Sequence, residues 1–441
     1  MKIVPWLIAF AVCAAAVGLF LHFSSNRKPS DFSESDQDRD RSIEAAFAPS
    51  AEGTPSRDVS DNEALSSEVN EYFLQLQKAF ADTDTKRLAE LIWIEGMLLN
   101  AENQGLLDIP SGFQRRNFFK GANQGFEKTS RTMAQSMGFE EHRLHLIEEI
   151  KEGEVIAYVR FWHPELLTFT RLRWWLIRNP DGGWRAYDFE DLDQGFRTST
   201  MMGVLGSGAL NKAPWVDSAT QLVQSVQLAL STGDFSSKNL NKNIQAVLNS
   251  SAPDALKEIA YTYEYVVHSY EGETEKALVS IDKLEALSPE SPFTLYARGV
   301  CYFDLGEYEK TIEHITKYAG RLGWDADTCD YVSFSHFALD DNEKAVEFAK
   351  RGLEDLPESA DCLIDLALAL PAEQISQLGD YLSKTADPED HYTTILDFCL
   401  GEGYEEQAVS VFKLLRKELP DSDLIKEYEP EFEGVDLDKA A

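Results

Sequence analysis

Three histidines offer the first chemistry to weigh. His142, His145 and His163 would make a divalent-metal site if their ring nitrogens converged. Residues three apart share a face on a helix but point to opposite sides of a strand. The run after His142 is β-branched and aromatic, so it reads as a strand and the pair is not expected to chelate. Cysteine offers no metal site either. Cys301, Cys329, Cys362 and Cys399 lack the close spacing of zinc ligands, and each falls in the expected first helix of a hairpin. Their types and places read as small buried hydrophobes, while Cys13 belongs to an N-terminal apolar run. No metal or cofactor is expected.

Charge sets the next limits. With 41 Lys+Arg against 76 Asp+Glu the chain carries a formal −35. Such a surface repels phosphate backbones, which excludes nucleic acid as a partner, and it favours basic or apolar ones. One stretch departs from this: between Phe113 and Met137 stand Arg115, Arg116, Lys120, Lys128 and Arg131 against Glu127 alone. The patch suits an anion or the protein's own acidic segments, although a solvated helix face is the plainer expectation.

Elements must position these groups, and 441 residues suffice for two or three domains. Ile3–Phe23 contains no Asp, Glu, Lys or Arg. At about 1.5 Å per residue a helix of that length spans roughly 30 Å, a bilayer's hydrocarbon core. Residues 1–28 are therefore expected to be a single-pass anchor, in contact with the membrane through residues 3–23. Ala14–Ala16 imitate a signal-peptide cleavage site, but the apolar run continues through Leu21. The short flank at Lys2 suggests that the bulk of the chain lies outside the cytoplasm. Residues 29–65, rich in Ser, Asp, Glu and Pro, read as an acidic, disordered tether, and residues 424–441 as an acidic tail.

Residues 66–200 read as one α+β domain. Val69, Tyr72, Phe73, Leu76 and Phe80 mark an amphipathic helix over Ser67–Ala81. Leu88, Leu91 and Ile92 mark a second short helix, and Asn117–Met137 a third. Four strands follow: Arg143–Ile150, Glu154–His163, Leu167–Arg178 and Trp184–Glu190. The turns Glu152-Gly153, His163-Pro164 and Asn179–Gly183 separate them, so the sheet is expected to be antiparallel. Helices followed by this meander resemble the NTF2-like (SnoaL-like) family, in which helices fill the concave side of a curved sheet. The resemblance implies either a ketosteroid-isomerase-like enzyme with a carboxylate base in the cone or a non-catalytic module. Its candidates for a base are Asp188 and Glu190, on one face of the last strand. A carboxylate base needs an apolar cavity. The sequence supplies none, so both acids are expected to be solvated and the domain non-catalytic; the alternative is a small-ligand or enzymatic cone.

The strongest internal signal is a repeat. Ala277, Thr311 and Ala345 are 34 residues apart, as are Gly272 and Gly306, and Pro289 and Pro357 straddle two periods. Gly272 and Gly306 are expected to form tight turns between paired helices, Tyr308 to pack beneath one, and the prolines to end second helices. Small residues at Ala277, Thr311 and Ala345 let the second helix approach the first. The pattern over residues 257–423 is similar to that of tetratricopeptide (TPR) proteins. Ala360–Asp387 is a short, degenerate unit; His391–Pro420 regains the pattern with Gly403 and Ala408; residues 215–256 hold a linking or capping helical pair.

The resemblance implies protein binding in a groove lined by first helices. By register that groove takes Phe293, Tyr296, Val300, Phe303, Asp327, Asp330, Phe334 and Phe337. The Lys and Asn residues with which chaperone-binding relatives clamp a carboxylate are replaced by Thr262, Val266, Tyr296 and Val300. The expected chain is thus multidomain: anchor, α+β domain and all-α solenoid, a membrane-tethered non-catalytic scaffold whose partner is an apolar or basic segment of another protein.

Overall fold

The computed structural model describes residues 57–108, 113–136, 141–163, 168–180, 182–192, 195–289, 291–433 and 435. The expected anchor and most of the tether lie outside these residues. Among the described residues no helix is long and apolar enough to cross a membrane. The described chain forms two compact units that divide between Thr294 and Leu295.

The first unit opens with a short strand, β1 (Arg57–Asp58), paired to β2 (Glu141–Lys151). Helix α1 (Glu63–Ala81) begins four residues before the expected Ser67, because Asn62 caps it with a side chain that accepts from Leu65 N at 3.2 Å. Ser60 Oγ accepts from Ile147 N at 2.9 Å, so the last residues assigned to the tether are tied to the sheet. Helices α2 (Thr85–Leu91), α3 (Ile94–Asn103) and α4 (Phe113–Ser136) follow. Strands β3 (Glu154–His163), β4 (Thr168–Arg178), β5 (Trp184–Asp191) and β6 (Phe196–Arg197) complete an antiparallel sheet in simple meander order.

Phe73 of α1 meets Phe161 and Trp174 edge-on, each at 6.0 Å between ring centroids, and Trp174 stacks on Phe189 at 4.8 Å. All four rings are buried, so the sheet face under α1 is filled with aromatic side chains.

Helix α5 (Thr198–Leu210) has no counterpart in the sequence expectation, because Gly203, Gly206 and Gly208 lower its helix propensity. Packing explains two of them. A Cβ at Gly208 would lie 2.2 Å from the Trp215 ring, and one at Gly203 3.0 Å from Ala101 of α3. Close approach won over propensity. Helices α6 (Val216–Thr232) and α7 (Lys238–Leu248) form a helical pair around Gly233, within the residues expected to hold one. The first repeat hairpin, α8 (Asp254–Tyr270) and α9 (Thr274–Leu287), closes this unit.

The second unit is helical: α10 (Pro292–Asp304), in whose first turn the division falls, α11 (Tyr308–Leu322), α12 (Ala326–Ala338), α13 (Asn342–Asp355) and α14 (Ala360–Ala369). After α14 the chain makes a 3-10 turn and the short α15 (Ser376–Leu382), then α16 (Pro388–Gly401) and α17 (Glu405–Glu418). The residues expected to form an acidic tail instead make α18 (Leu424–Tyr428) and a 3-10 turn that packs back. Tyr428 OH donates to Asp397 Oδ1 at 2.6 Å, and Phe432 stacks on Phe412 at 4.5 Å. Two apolar side chains outweigh the surrounding acids.

The 34-residue period has a backbone cause. Gly272 and Gly306 both sit in the left-handed region, at φ 71°. One period after Gly306 stands Asp340, which adopts the same region at φ 61°. In each hairpin the next residue's amide closes the turn: Glu273 N to His268 O at 2.8 Å, Glu307 N to Tyr302 O at 2.8 Å, Asp341 N to His336 O at 2.9 Å. Ala277, Thr311 and Ala345 are fully buried against the first helices. Thr311 Oγ1 donates to Gly299 O at 3.3 Å, while Ser333 Oγ donates to Ala345 O at 2.9 Å. Pro289 and Pro357 are exposed, and each follows the end of a second helix.

Asp340→Gly is expected to stabilise the protein by about 0.5–1 kcal/mol, since glycine adopts this conformation without a Cβ penalty. Gly306→Val is expected to destabilise by about 1–3 kcal/mol. A Cβ at Gly306 meets nothing within 4 Å, so that cost is conformational rather than steric. Urea midpoints of the two variants against the parent measure both effects.

Candidate partner-binding face and buried acids

In the second unit, first helices bring half-buried aromatic rings into one contiguous stripe. Phe303 of α10 lies 5.1 Å from Tyr331 and 5.4 Å from Phe334, both on α12. Phe334 meets Phe337 at 6.1 Å, Phe337 meets Tyr404 at 5.8 Å, and Tyr404 stacks on Phe398 at 6.2 Å. Tyr308 packs under the same stripe, 6.0 Å from Phe303. Tyr296 joins it through Tyr331 at 6.1 Å. None of these rings is fully buried. Tyr331, Phe398 and Tyr404 were not among the residues placed in the groove from sequence. Tyr331 follows Asp330 on the same helix, and a register carried one residue further would have included it.

Two groove assignments need correction. Phe293 is 3% exposed, belongs to the first unit, and packs edge-on against Tyr265 at 5.6 Å and against the backbone of Gly195. Val300 is 7% exposed. Both positions are packing sites, because α10 turns that part of its surface inward.

Acids accompany the rings. Asp327 and Asp330 of α12 are half-buried, and Asp361 of α14, one period after Asp327, is half-buried too. Asp365, four residues further along α14, is 2% exposed. Burial, and next the charge of Asp330, push the Asp365 carboxyl well above the usual carboxylate range. Its carboxyl is hydrogen-bonded to the side chains of Ser333 and Asp330. Asp365 Oδ2 is buried and has no hydrogen-bond partner among the described residues. Asp365 escaped the sequence reading because its helix belongs to the degenerate fourth hairpin.

Cys301, Cys329, Cys362 and Cys399 are all free and buried, as expected. Burial pushes the Cys301 thiol up to about 12 and that of Cys399 to about 11, so neither forms the reactive thiolate at neutral pH.

His268, Glu271 and Glu273 bring potential metal-ligand atoms within 4.8 Å of one another at the α8–α9 turn. Glu273, however, is held by His268 at 3.0 Å and Lys276 at 2.6 Å. His336, Asp341 and Lys344 repeat that arrangement two periods later, at 3.4 and 3.2 Å. A contact that recurs with the repeat is a feature of the turn rather than a metal site.

The histidines of β2 are placed as the strand reading requires. A bulge interrupts the β2–β3 register between Leu144 and Leu146. His145 is exposed, whereas His142 is half-buried with both ring nitrogens engaged, 2.9 Å from Gln77 and 2.9 Å from Asn70. Burial lowers its pKa, so the ring is neutral; one amide accepts its proton and the other turns its NH2 to donate. The His163 side chain lies outside the described residues.

Asp188 and Glu190, expected to be solvated, are buried at 0% and 7% exposure. Asp188 accepts from Asn100 Nδ2 at 2.7 Å, Ser199 Oγ at 2.6 Å, Ser199 N at 2.9 Å, Phe189 N at 3.0 Å, and Arg197 Nε. Both carboxylate oxygens are filled by donors, and one partner is an amide in the first turn of α5. The group thus ties α3, β5, β6 and α5 together and has no lone pair directed at a substrate. Glu190 accepts from Arg173 Nε at 2.8 Å.

Of the basic patch, Arg115 is committed to a bidentate pair with Glu102, both contacts at 2.7 Å. Arg116 and Lys120 instead line a cleft of about 1410 Å³ with Arg87, Trp93 and Arg185, whose guanidinium lies 3.4 Å over the Trp93 ring. Glu68, Glu71, Glu90 and Glu127 line it as well, so the cleft carries mixed charge. The Lys128 side chain lies outside the described residues.

No family model and no curated protein matches this sequence. A solved structure from the functional characterization of Pseudomonas aeruginosa PilF aligns at 13% identity and a TM-score of 0.34, covering 49% of this chain and 98% of that one. Similarity at that level carries no argument about fold or function.

Asp188→Ala strands Asn100, Ser199 and Arg197 and is expected to cost about 3–5 kcal/mol, read as a lower denaturation midpoint. A pH effect is expected at Glu258 of α8. Burial, then the charges of Asp254 and Glu190, raise its pKa from 4.5 to about 7. A raised carboxyl pKa favours the folded state below the unfolded value. That contribution is lost as pH climbs from about 4.5 through about 7. Thermal midpoints of Glu258→Gln, plotted against pH, should therefore fall less across this window than those of the parent.

Proposed function

We propose that this protein is a non-catalytic, membrane-tethered scaffold that captures a partner protein on the aromatic stripe of its second unit. The contiguous run of half-buried rings from Phe303 to Phe398 carries the reading. Apolar rings left partly in water and touching one another favour an apolar ligand, and aromatic residues dominate binding energy where proteins meet. The serial helical hairpins, with left-handed turn residues at a 34-residue period, support a TPR-type array. The partner is an apolar or basic segment, in keeping with the net charge of −35.

The α+β domain is read as an NTF2-like module that contributes a second contact. Support comes from the meander order and from helix α1 lying across the sheet. The aromatic filling under α1 and the donor-saturated Asp188 favour a structural role for it over a catalytic one. Ile3–Phe23 is read as the anchor, with the folded part outside the cytoplasm.

Phe303→Ala combined with Phe337→Ala should reduce partner capture from native membranes at least about tenfold while the helical circular dichroism persists. Undiminished capture by a folded double variant would overturn the docking role. Removal of residues 1–28 should release the protein from the membrane fraction, and unchanged fractionation would overturn the tether.

A further inference from the structure

We propose that the charged cleft of the first unit binds a segment of this chain's own N-terminal region, residues 31–47. The cleft lies wholly in the first unit and owes nothing to the aromatic stripe of the second.

Helices α1, α2 and α4, the start of α3 and the turn between β4 and β5 form its walls. Five basic and five acidic side chains line it, so it is neutral in a chain of formal charge −35. Bonding then gives it a sign. Glu68 is paired with Arg178, and Glu90 with Arg87 at 2.8 Å. Glu95 accepts from Asn123 Nδ2 at 2.6 Å and Glu71 from Gln75 Nε2 at 3.0 Å, while Glu127 is exposed. On the same walls Arg116 Nε and Trp184 Nε1 are buried with no hydrogen-bond partner among the described residues. Both are donors. An N–H that has lost its water without meeting an acceptor bears its whole desolvation cost, and a carboxylate or carbonyl that reaches it removes that cost. Cations and indole faces also alternate here: the Arg178 guanidinium lies 4.5 Å over the Trp184 ring, as that of Arg185 lies over Trp93. The ligand that fits is rich in acceptors and carries aromatic or apolar side chains among its acids.

Residues 31–47 have that composition: six acids against two arginines, with Phe32, Ile43 and Phe47. Place agrees with composition. Arg57 of β1 pairs with Glu149 near the end of β2, and β2 runs in the same direction as β4. The chain therefore enters β1 at the end of the sheet that carries the β4–β5 turn of the cleft. About four strand spacings, roughly 19 Å, separate β1 from β5. The ten residues from Phe47 to Arg57 reach about 33 Å when extended. A covalently linked segment sits at roughly millimolar effective concentration, so modest contacts suffice to hold it. Docking takes up chain that otherwise spaces the first unit from residues 1–28, and release restores that spacing.

The test uses the full-length protein in detergent and a glutamate-specific protease, with cleavage after Glu34 and Glu44 followed by mass spectrometry. Both bonds should be cut about tenfold more slowly than in a synthetic peptide of residues 29–52, and raised salt should narrow that gap. Arg116→Glu with Lys120→Glu should bring cleavage to the peptide's rate while the circular dichroism is unchanged. Adding Asp36→Lys, Asp38→Lys and Asp40→Lys to that pair should restore protection, a rescue that a merely loosened cleft would not give. Cleavage of the parent at the peptide's rate would overturn the docking. Protection that persists in the folded Arg116→Glu, Lys120→Glu variant would overturn the cleft as its place. Protection that rises with protein concentration would assign the segment to the cleft of a second copy and overturn the intramolecular contact.

Discussion

A two-helix hairpin cannot bury its own apolar face, and the repeat hairpins meet that constraint at fixed intervals. The well-formed hairpins each use one residue in the left-handed region to reverse the chain, and five residues later a small one where the helices cross. Gly272 with Ala277, Gly306 with Thr311, Asp340 with Ala345 and Gly403 with Ala408 all satisfy this pair of demands. Because the reversal is the same each time, first helices recur at corresponding places, and their side chains line up from one hairpin to the next. The aromatic stripe and the acid cluster follow from that recurrence.

The stripe and the acids complement one another. Half-buried rings give area without selectivity, since any apolar segment gains from covering them. Acids set among them add a sign. Among these acids Asp365 is buried, and burial with the charge of Asp330 raises its pKa well above the usual carboxylate range.

The first unit uses buried charge differently. Asp188 collects donors from a helix, a strand and the start of α5, and so orients elements that apolar packing alone would leave free to slide. Glu190 with Arg173 and Glu154 with Tyr187 do the same across β3, β4 and β5. Glu154 in the first unit and Asp365 in the second each have one buried carboxyl oxygen without a hydrogen-bond partner among the described residues.

Much of the architecture was legible in the sequence because it rests on local or periodic signals. The period of 34 survives as long as small and left-handed positions recur, and strand alternation with turn residues marks β2 to β5. Where local and tertiary demands diverge, the sequence misleads. Helix α5 carries three glycines that weaken it in isolation, yet the Trp215 ring leaves room for nothing larger at Gly208. Asp340 does not look like a turn residue, but the turn on either side of it compels the left-handed conformation. Asp188 and Glu190 read as solvated strand ends, and the last residues as a tail, because charge is visible in a sequence while the donors and apolar rings that bury it arrive from distant segments. By itself the sequence determined the order of strands β2 to β5 and the repeat, since these follow from spacing along the chain. Only the tertiary structure decided which aromatics stay half exposed and which acid is buried beside another, since those depend on the faces that neighbouring helices leave uncovered.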